Sequence, residues 1–251
     1  MVGVGIAGPA HVTREALAAI RAASTRLVLV ADFLTLEWLE QLVPGFENLA
    51  DAYAVGKSRD LTYAEMTERV LAPVRQGRRV AAIFYGHPGV FARSPHEAVR
   101  RARAEGYEAR MYPAVSALDC LFADVGVDPG EVGCQEYEAT DFLLRRRRFD
   151  PCSALVLWQI GVVGVFDYRE EELWSREGLG ILAEVLLETY PAEHEVVVYE
   201  ASTLPLVPPV ILCLPLGALG TADVTAISTL YVPPLPDRAT DRKMLRRLGF
   251  R

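Results

Sequence analysis

Apolar residues in the first 112 positions fall in short runs of strand length separated by amphipathic stretches, a βαβ rhythm. Val2–Ile6, Leu27–Val30, Arg79–Tyr85 and Glu108–Tyr112 predict strands. Thr13–Ala23 and Thr35–Val43 predict helices between them. A longer helix is expected from Thr62, where Thr62 and Glu65 form a capping box, to about Gln76, with Pro73 kinking its last turn and Gly77 ending it. Ser94-Pro95-His96-Glu97 predicts another helix start, with cap, N1 proline and N3 glutamate in place. The expected result is an open, mostly parallel sheet with helices on both faces.

After Pro113 the pattern changes. Helices are predicted over Ser116–Asp124 and Leu173–Thr189, and strands near Gly133–Tyr137, Ala154–Ile160, Glu195–Glu200 and Ala226–Val232. Fewer helices separate these strands, so the second sheet is expected to be mixed. The chain is therefore divided into an N-terminal α/β domain (1–112), a C-terminal mixed-sheet α/β domain (113–236) and a basic tail (237–251).

Composition narrows the functional classes. With 251 residues, 51% of them hydrophobic, the chain can bury a full core. Lys+Arg 26 against Asp+Glu 33 leaves a net charge of −7, which argues against a general nucleic-acid binder. No apolar stretch reaches the roughly 20 residues of a spanning helix, and the N-terminus carries no basic n-region, so a cytoplasmic protein is expected. Cys120, Cys134, Cys152 and Cys213 form no C-x-x-C pair and read as reduced, buried thiols, with no metal site. The apolar surplus points to burial against another subunit.

Candidate chemistry lies in the strand-exit loops. Gly3-x-Gly5-x-x-Gly8-Pro9 reads either as a phosphate-cradling turn, with Asp32 as its ribose acid, or as a tight strand-to-helix turn. Tyr85-Gly86-His87-Pro88-Gly89-Val90-Phe91 follows a buried strand, where open α/β sheets place ligands. Tyr112-Pro113-Ala114-Val115-Ser116-Ala117 turns into a helix whose free N–H groups can bind oxygen. Between Asp51 and Tyr63 a polar loop brings Tyr53, Lys57 and Arg59 into a helix that is expected to start at Tyr63; either the helix dipole and the Arg59 guanidinium favour phenolate there, or Lys57 and Arg59 are solvated and Tyr63 packs. Gln159, ending an apolar run, needs partners that an adenine edge or the local backbone could supply, and Ser228-Thr229 is a similar polar pair. Arg145–Arg148 reads as a solvated face or as a docking strip for an acidic peptide.

Together these loops resemble the tetrapyrrole (corrin/porphyrin) methylase superfamily, and within it the borosin-type peptide backbone α-N-methyltransferases. The broader resemblance is the order of a Gly-rich first loop, a Gly-x-Pro-Gly-Val-Phe loop and Pro-x-Val-Ser-Ala. The narrower one rests on His87 where ring methylases usually carry Asp, on Gly56-Lys57-Ser58-Arg59 with Tyr63, and on Phe122-Ala123-Asp124 followed by Asp128-Pro129. It rests also on Glu138-Ala139-Thr140-Asp141-Phe142-Leu143, Trp158-Gln159-Ile160-Gly161 and Ser228-Thr229-Leu230-Tyr231-Val232-Pro233-Pro234.

The resemblance implies a tetrapyrrole-methylase-like α/β fold with S-adenosylmethionine in the cleft between the domains, S-adenosylhomocysteine as product, and iterative methylation of backbone amides of a ribosomally made precursor peptide. The chain stops at Arg251 without a core peptide, so the split type is expected, acting in trans as a homodimer in a 2:2 complex with its precursor. By motif, Tyr63 would take or relay the amide proton, Arg59 would hold the carbonyl oxygen, and Tyr53 would support them. Tyr85, His87, Val90, Phe91, Ser116, Ala117, Gln159, Ser228 and Thr229 would line the cofactor pocket, with Tyr85 also beside the methyl group. A tyrosine that some fused members carry three residues before Tyr53 is Ala50 here. Arg145–Arg148 and Asp241–Arg251 are candidates for precursor docking or the dimer surface. The competing readings are a porphyrinoid-ring methyltransferase and a non-catalytic cofactor-binding scaffold.

Overall fold

The computed structural model describes residues 1–168, 175–204, 206–236 and 240–250. Two units emerge: Met1–Gly126 with Val165–Leu173 and Glu200–Val210, and Val127–Gly164 with Trp174–Tyr199 and Ile211–Arg251. The first unit thus runs past the 112–115 region where the sequence places a boundary.

In the first unit, β1 (Val2–Gly3), α1 (Arg14–Ala22), β2 (Thr25–Leu29), α2 (Phe33–Leu42), β3 (Glu47–Asn48), α3 (Arg59–Arg75), β4 (Val80–Phe84), α4 (Arg93–Ala104) and α5 (Ala117–Val125) follow in order. The strands form one parallel sheet in the order β1-β4-β2-β3, with Val2 opposite Ile83, Leu27 opposite Ala82, and Leu27 opposite Glu47 on the other side. Ala81, Ala82, Ile83 and Phe84 are all buried, as a strand covered on both faces requires. The predicted strand Glu108–Tyr112 does not form: a single bridge joins Tyr112 to Val2, and the Ala109 carbonyl accepts from Arg103 Nε instead of a ladder.

Two helix starts also differ from expectation. Ser58, not Thr62, caps α3, its hydroxyl accepting from Leu61 N. Thr62 lies inside the helix with its hydroxyl donating to Ser58 O at 3.3 Å, and the Glu65 carboxylate pairs with Lys57 Nζ. Helix α4 begins at Arg93 after Ala92 with no side-chain cap, and Ser94 is buried within the first turn. By contrast Ser116 and Asp119 close a full capping box on α5, and Gly126 ends that helix in the left-handed region.

The second unit holds α6 (Pro129–Val132), β5 (Cys134–Glu138), α7 (Ala139–Leu144), β6 (Ala154–Trp158), α8 (Arg176–Leu187), β7 (Glu195–Glu200), β8 (Val210–Pro215), β9 (Thr229–Val232) and α9 (Arg242–Arg247). Its sheet runs β5-β6-β9-β7-β8, with β5 and β6 parallel and β9 antiparallel to both β6 and β7, the expected mixed arrangement. Leu179, Leu182 and Leu186 of α8 are fully buried on one helical face against this sheet. Phe142, Phe149, Tyr190 and His194 extend the core as a chain of ring contacts. The predicted residues 173 and 174 at the start of α8 lie outside the described residues.

All four cysteines are free, and contrary to expectation none is fully buried; Cys213 is exposed on edge strand β8. Among the described residues no His, Cys, Asp or Glu cluster could hold a metal, and no helix is long and apolar enough to cross a membrane.

Two glycines give opposite stability tests. A Cβ on Gly161 would lie 2.0 Å from the Thr225 carbonyl oxygen, whereas one on Gly180, inside α8, meets nothing. Chemical denaturation should show Gly161→Ala destabilised by about 2 kcal/mol or more and Gly180→Ala stabilised by up to about 1 kcal/mol.

Candidate active site

The parallel sheet of the first unit releases β1, β2, β3 and β4 at one edge, where such sheets bind ligands. The glycines after β1 serve packing between loops. A Cβ on Gly3 would lie 2.5 Å from Gly86 O; on Gly5 (φ +74) it would lie 2.2 Å from His11 Cβ, and on Gly8 (φ +45) 2.2 Å from Thr35 Oγ1. Gly5 and Gly86 exchange two backbone hydrogen bonds, 3.2 and 3.0 Å. This is the tight strand-to-helix turn, not a phosphate cradle. Asp32, weighed as a ribose acid, caps α2 through Oδ1, 2.8 Å from Thr35 N, while its Oδ2 is buried without a partner among the described residues.

After β4, His87 Nδ1 accepts from Gly89 N at 2.8 Å and His96 Nε2 meets Gly89 O at 2.9 Å, so His87 closes the turn that presents Val90 and Phe91. Phe91 takes φ +53, unusual for a side chain of this size, and is half exposed. Burial, then Cys120 and Asp32 nearby, pushes the Tyr85 phenol up to about 12, so it stays neutral. Both the backbone N–H and the hydroxyl of Ser116 are committed to Asp119 Oδ2 at 2.7 Å, leaving the amides of the next residues, starting with Ala117, as the first-turn donors.

The loop carrying Tyr53 is tied on two sides. Arg69 reaches back from α3 to Glu47 Oε1 (2.7 Å), to Asn48 O (3.0 Å) and to Asp51. Lys57 Nζ donates to Ala52 O at 2.7 Å and to Glu65. Because α3 begins at Arg59, Tyr63 is its fifth residue rather than its first. The helix-start field expected at Tyr63 therefore acts at Arg59, and the two share a face at i,i+4 spacing. Burial is the first cause that pushes Tyr53 up to about 12; the neighbouring Tyr63 adds to it, and Arg59 opposes it. Ala50 is exposed.

One contributor was invisible in the sequence. Residues 166–168 run beside this loop: Gly56 N donates to Tyr168 O at 3.0 Å, Tyr168 N to Lys57 O at 3.2 Å, and Arg59 N to Phe166 O at 3.3 Å. The Tyr168 ring lies 5.2 Å from that of Tyr53. No spacing or motif links Tyr168 to a loop more than a hundred positions earlier.

In the second unit Gln159 follows β6 in the left-handed region (φ 60, ψ 41), with its side chain making no cap bond. The Ser228 carbonyl accepts from Ile160 N (3.1 Å), and its hydroxyl accepts from Thr225 N (2.7 Å). Thr229 is buried at the start of β9. The structure thus brings Gln159, Ser228 and Thr229 together. Arg145 and Arg147 both pair with Asp141, Arg147 also lies over the Tyr137 ring, and Arg146 pairs with Glu188 at 3.9 Å, so three of the four arginines of the Arg145–Arg148 strip have local partners.

Residues 1–205 match the model of the Tetrapyrrole (Corrin/Porphyrin) Methylases. The chain is 40% identical over 252 residues to the methyltransferase/ribosomally synthesized cyclic peptide gymnopeptides precursor of Gymnopus fusipes, covering 99% of this chain and 60% of that protein. It is 39% identical over 252 residues to the corresponding omphalotin A precursor of Omphalotus olearius, with the same coverage. A type III borosin cyclic peptide precursor of Anomoporia bombycina is 39% identical over 254 residues, 29% of its length. The chain thus spans about 60% of the first two relatives. Among solved structures, uroporphyrin-III-C-methyltransferase from Thermus thermophilus superimposes with a TM-score of 0.64 at 23% identity, covering 92% of both chains. The methyltransferase CobJ gives 0.66 at 18%, covering 95% of both. These two establish the fold, in agreement with the sequence expectation.

The raised phenols carry a pH prediction. Tyr53 and Tyr85 keep their protons in the folded state up to about 12, whereas in the unfolded chain they ionise near 10.0. Above that value the unfolded state binds fewer protons, so the free energy of unfolding must fall as pH rises. Urea titrations from pH 9 to 12 should show this fall, and it should be shallower in the Tyr53→Phe, Tyr85→Phe double variant. An equally steep fall in that variant would reject the assignment.

Proposed function

The chain belongs to the tetrapyrrole (corrin/porphyrin) methylase family, and from that premise we propose that it is an S-adenosylmethionine-dependent enzyme that N-methylates backbone amides of a ribosomally made peptide, repeatedly along one precursor. The observation that carries this reading is the placement of Arg59 and Tyr63 on one face of the first turns of α3, with Tyr53 and Tyr63 packed against the same core cluster.

An amide nitrogen is a poor nucleophile because its lone pair is delocalised into the carbonyl, the resonance that keeps the peptide planar. Reaction therefore requires charge on the oxygen and loss of the nitrogen proton. Arg59 would hold the carbonyl oxygen and stabilise that charge. Tyr63 would take the proton. Tyr53, kept neutral by burial, would donate to the Tyr63 oxygen and support the charge there. A porphyrinoid ring has no amide proton to remove, and a silent scaffold has no use for this trio.

The residues present suit the cofactor. Tyr85, Val90 and Phe91 offer an aromatic and apolar lining, the α5 start offers Ala117 N–H beside Ser116, and His87 would act through the turn it closes. In the second unit Gln159, with its amide not spent on a cap, would meet the adenine edge, and Ser228 and Thr229 would complete that group. When bound, S-adenosylmethionine supplies an electrophilic methyl group. S-adenosylhomocysteine is the product expected, and the solved Thermus thermophilus uroporphyrin-III C-methyltransferase complexed with that compound supports the choice.

The proposal extends to a precursor supplied by a separate chain and to a homodimer binding two precursors. The relatives' names as methyltransferase and peptide precursor support the substrate class. The exposed apolar edge Val210, Ile211 and Leu212 supports a subunit contact. A cytoplasmic site of action fits the four free thiols.

Intact-mass measurement after incubation with S-adenosylmethionine and candidate precursor peptides tests the reading. One peptide should be drawn from the part of the Omphalotus olearius relative that this chain does not cover. The expected result is increments of one methyl each. Tyr63→Phe should bind S-adenosylhomocysteine as wild type does and lose about 100-fold or more in rate. A near-wild-type rate in that variant, or no increments with any peptide, overturns it.

A further inference from the structure

We propose that Tyr168 is a positioning residue of the site, setting the ring of Tyr53 and through it the approach of the Tyr53 hydroxyl to Tyr63. The inference rests on the reading above for what the tyrosines do, but not for how they are held.

Tyr53 needs such support because nothing regular carries it. It follows a short 3-10 turn, Leu49–Ala52, in extended backbone (φ −75, ψ 135), and precedes α3 by several residues. Arg69 and Lys57 hold the backbone that leads into it, through Asn48 O and Ala52 O. The ring is met by Tyr168, centroids 5.2 Å apart and planes at 37°, within the range of favourable aromatic pairs. Tyr168 is itself fixed by backbone bonds in both directions, accepting from Gly56 N and donating to Lys57 O. An isolated antiparallel bridge joins Ser58 to Asp167, and Phe166 O takes the Arg59 N–H, a first-turn donor that α3 itself leaves unpaired. Residues 166–168 therefore touch all three parts of the trio's support: the loop of Tyr53, the cap of α3 and the backbone of Arg59. A packed ring on one side of Tyr53 restricts its rotation to the orientation that meets Tyr63.

The test uses the full chain with Tyr168→Leu, Tyr168→Phe, and each combined with Tyr53→Phe. The phenol ionisation that disappears in Tyr53→Phe is followed by ultraviolet titration, a readout that does not depend on methyl transfer. Tyr168→Leu should move that step down from about 12 toward 10.0, cut turnover at saturating peptide about tenfold or more, and leave S-adenosylhomocysteine affinity unchanged. Tyr168→Phe keeps the ring and should stay within about twofold of wild type on each measure. In the Tyr53→Phe background Tyr168→Leu should add no further loss, as a residue acting only through Tyr53 requires. Full additivity in that background, or an unmoved ionisation step in Tyr168→Leu, overturns the proposal. If no peptide is methylated, the function reading fails and the titration alone decides this one. Should Tyr168→Leu not fold, Tyr168→Met carries the same titration; loss of the fold in both would make Tyr168 a core residue and overturn its positioning role.

Discussion

Parallel pairing is the constraint on which the first unit depends. Strands that all point the same way must release their chain at the same edge, so the sheet order β1-β4-β2-β3 brings four loops together that lie far apart in sequence. Three of them are then tied to each other or to the next helix: the first loop to Gly86, Asp32 to Thr35, and the Tyr53 loop to α3 through Arg69. Chemistry at this edge needs little from any single loop beyond the side chains it carries.

The electrostatics divide the tyrosines by role. Burial acts on Tyr53 and Tyr85 in the same direction, keeping both protonated, so neither is suited to remove a proton at ordinary pH. Tyr63 shares a helix face with a permanent cation, Arg59. The ion pairs of Arg69 and Lys57 join half-buried cations to carboxylates that face solvent, so each contributes modest stability. Their significance is geometric, since they tie a loop without regular structure to the helix that bears Arg59.

What could be read from the sequence was what local pattern encodes. Apolar runs such as Val80–Phe84 and Ala154–Trp158 announce buried strands, and the loop ending at Ser116 announces the helix that follows it. Strand β3 was not legible, because Glu47 and Asn48 are exposed polar residues paired only through backbone to β2. Nor was β8, an apolar stretch beside two prolines. The start of α3 was misplaced by one turn since Ser58 and Thr62 are both good caps, and it is Ser58 whose hydroxyl meets a first-turn N–H while Thr62 donates to Ser58 O inside the helix. Arg59 and Tyr63 were legible as neighbours in one loop and helix start, but their shared helix face was not, because α3 begins at Arg59 and not at Tyr63. Tyr168 was not, because it joins the site only through tertiary contact.

The contact between Gly3, Gly5 and Gly86 has an evolutionary consequence. A side chain at Gly3 would strike the Gly86 carbonyl, while Gly5 and Gly86 share a reciprocal pair of backbone bonds. Neither loop can lengthen, shorten or gain bulk without a matching change in the other. Variation that alters the ligand chosen at this edge is thereby channelled into the outward side chains and into the loops after β2 and β3, while the two glycine loops are inherited as a single piece.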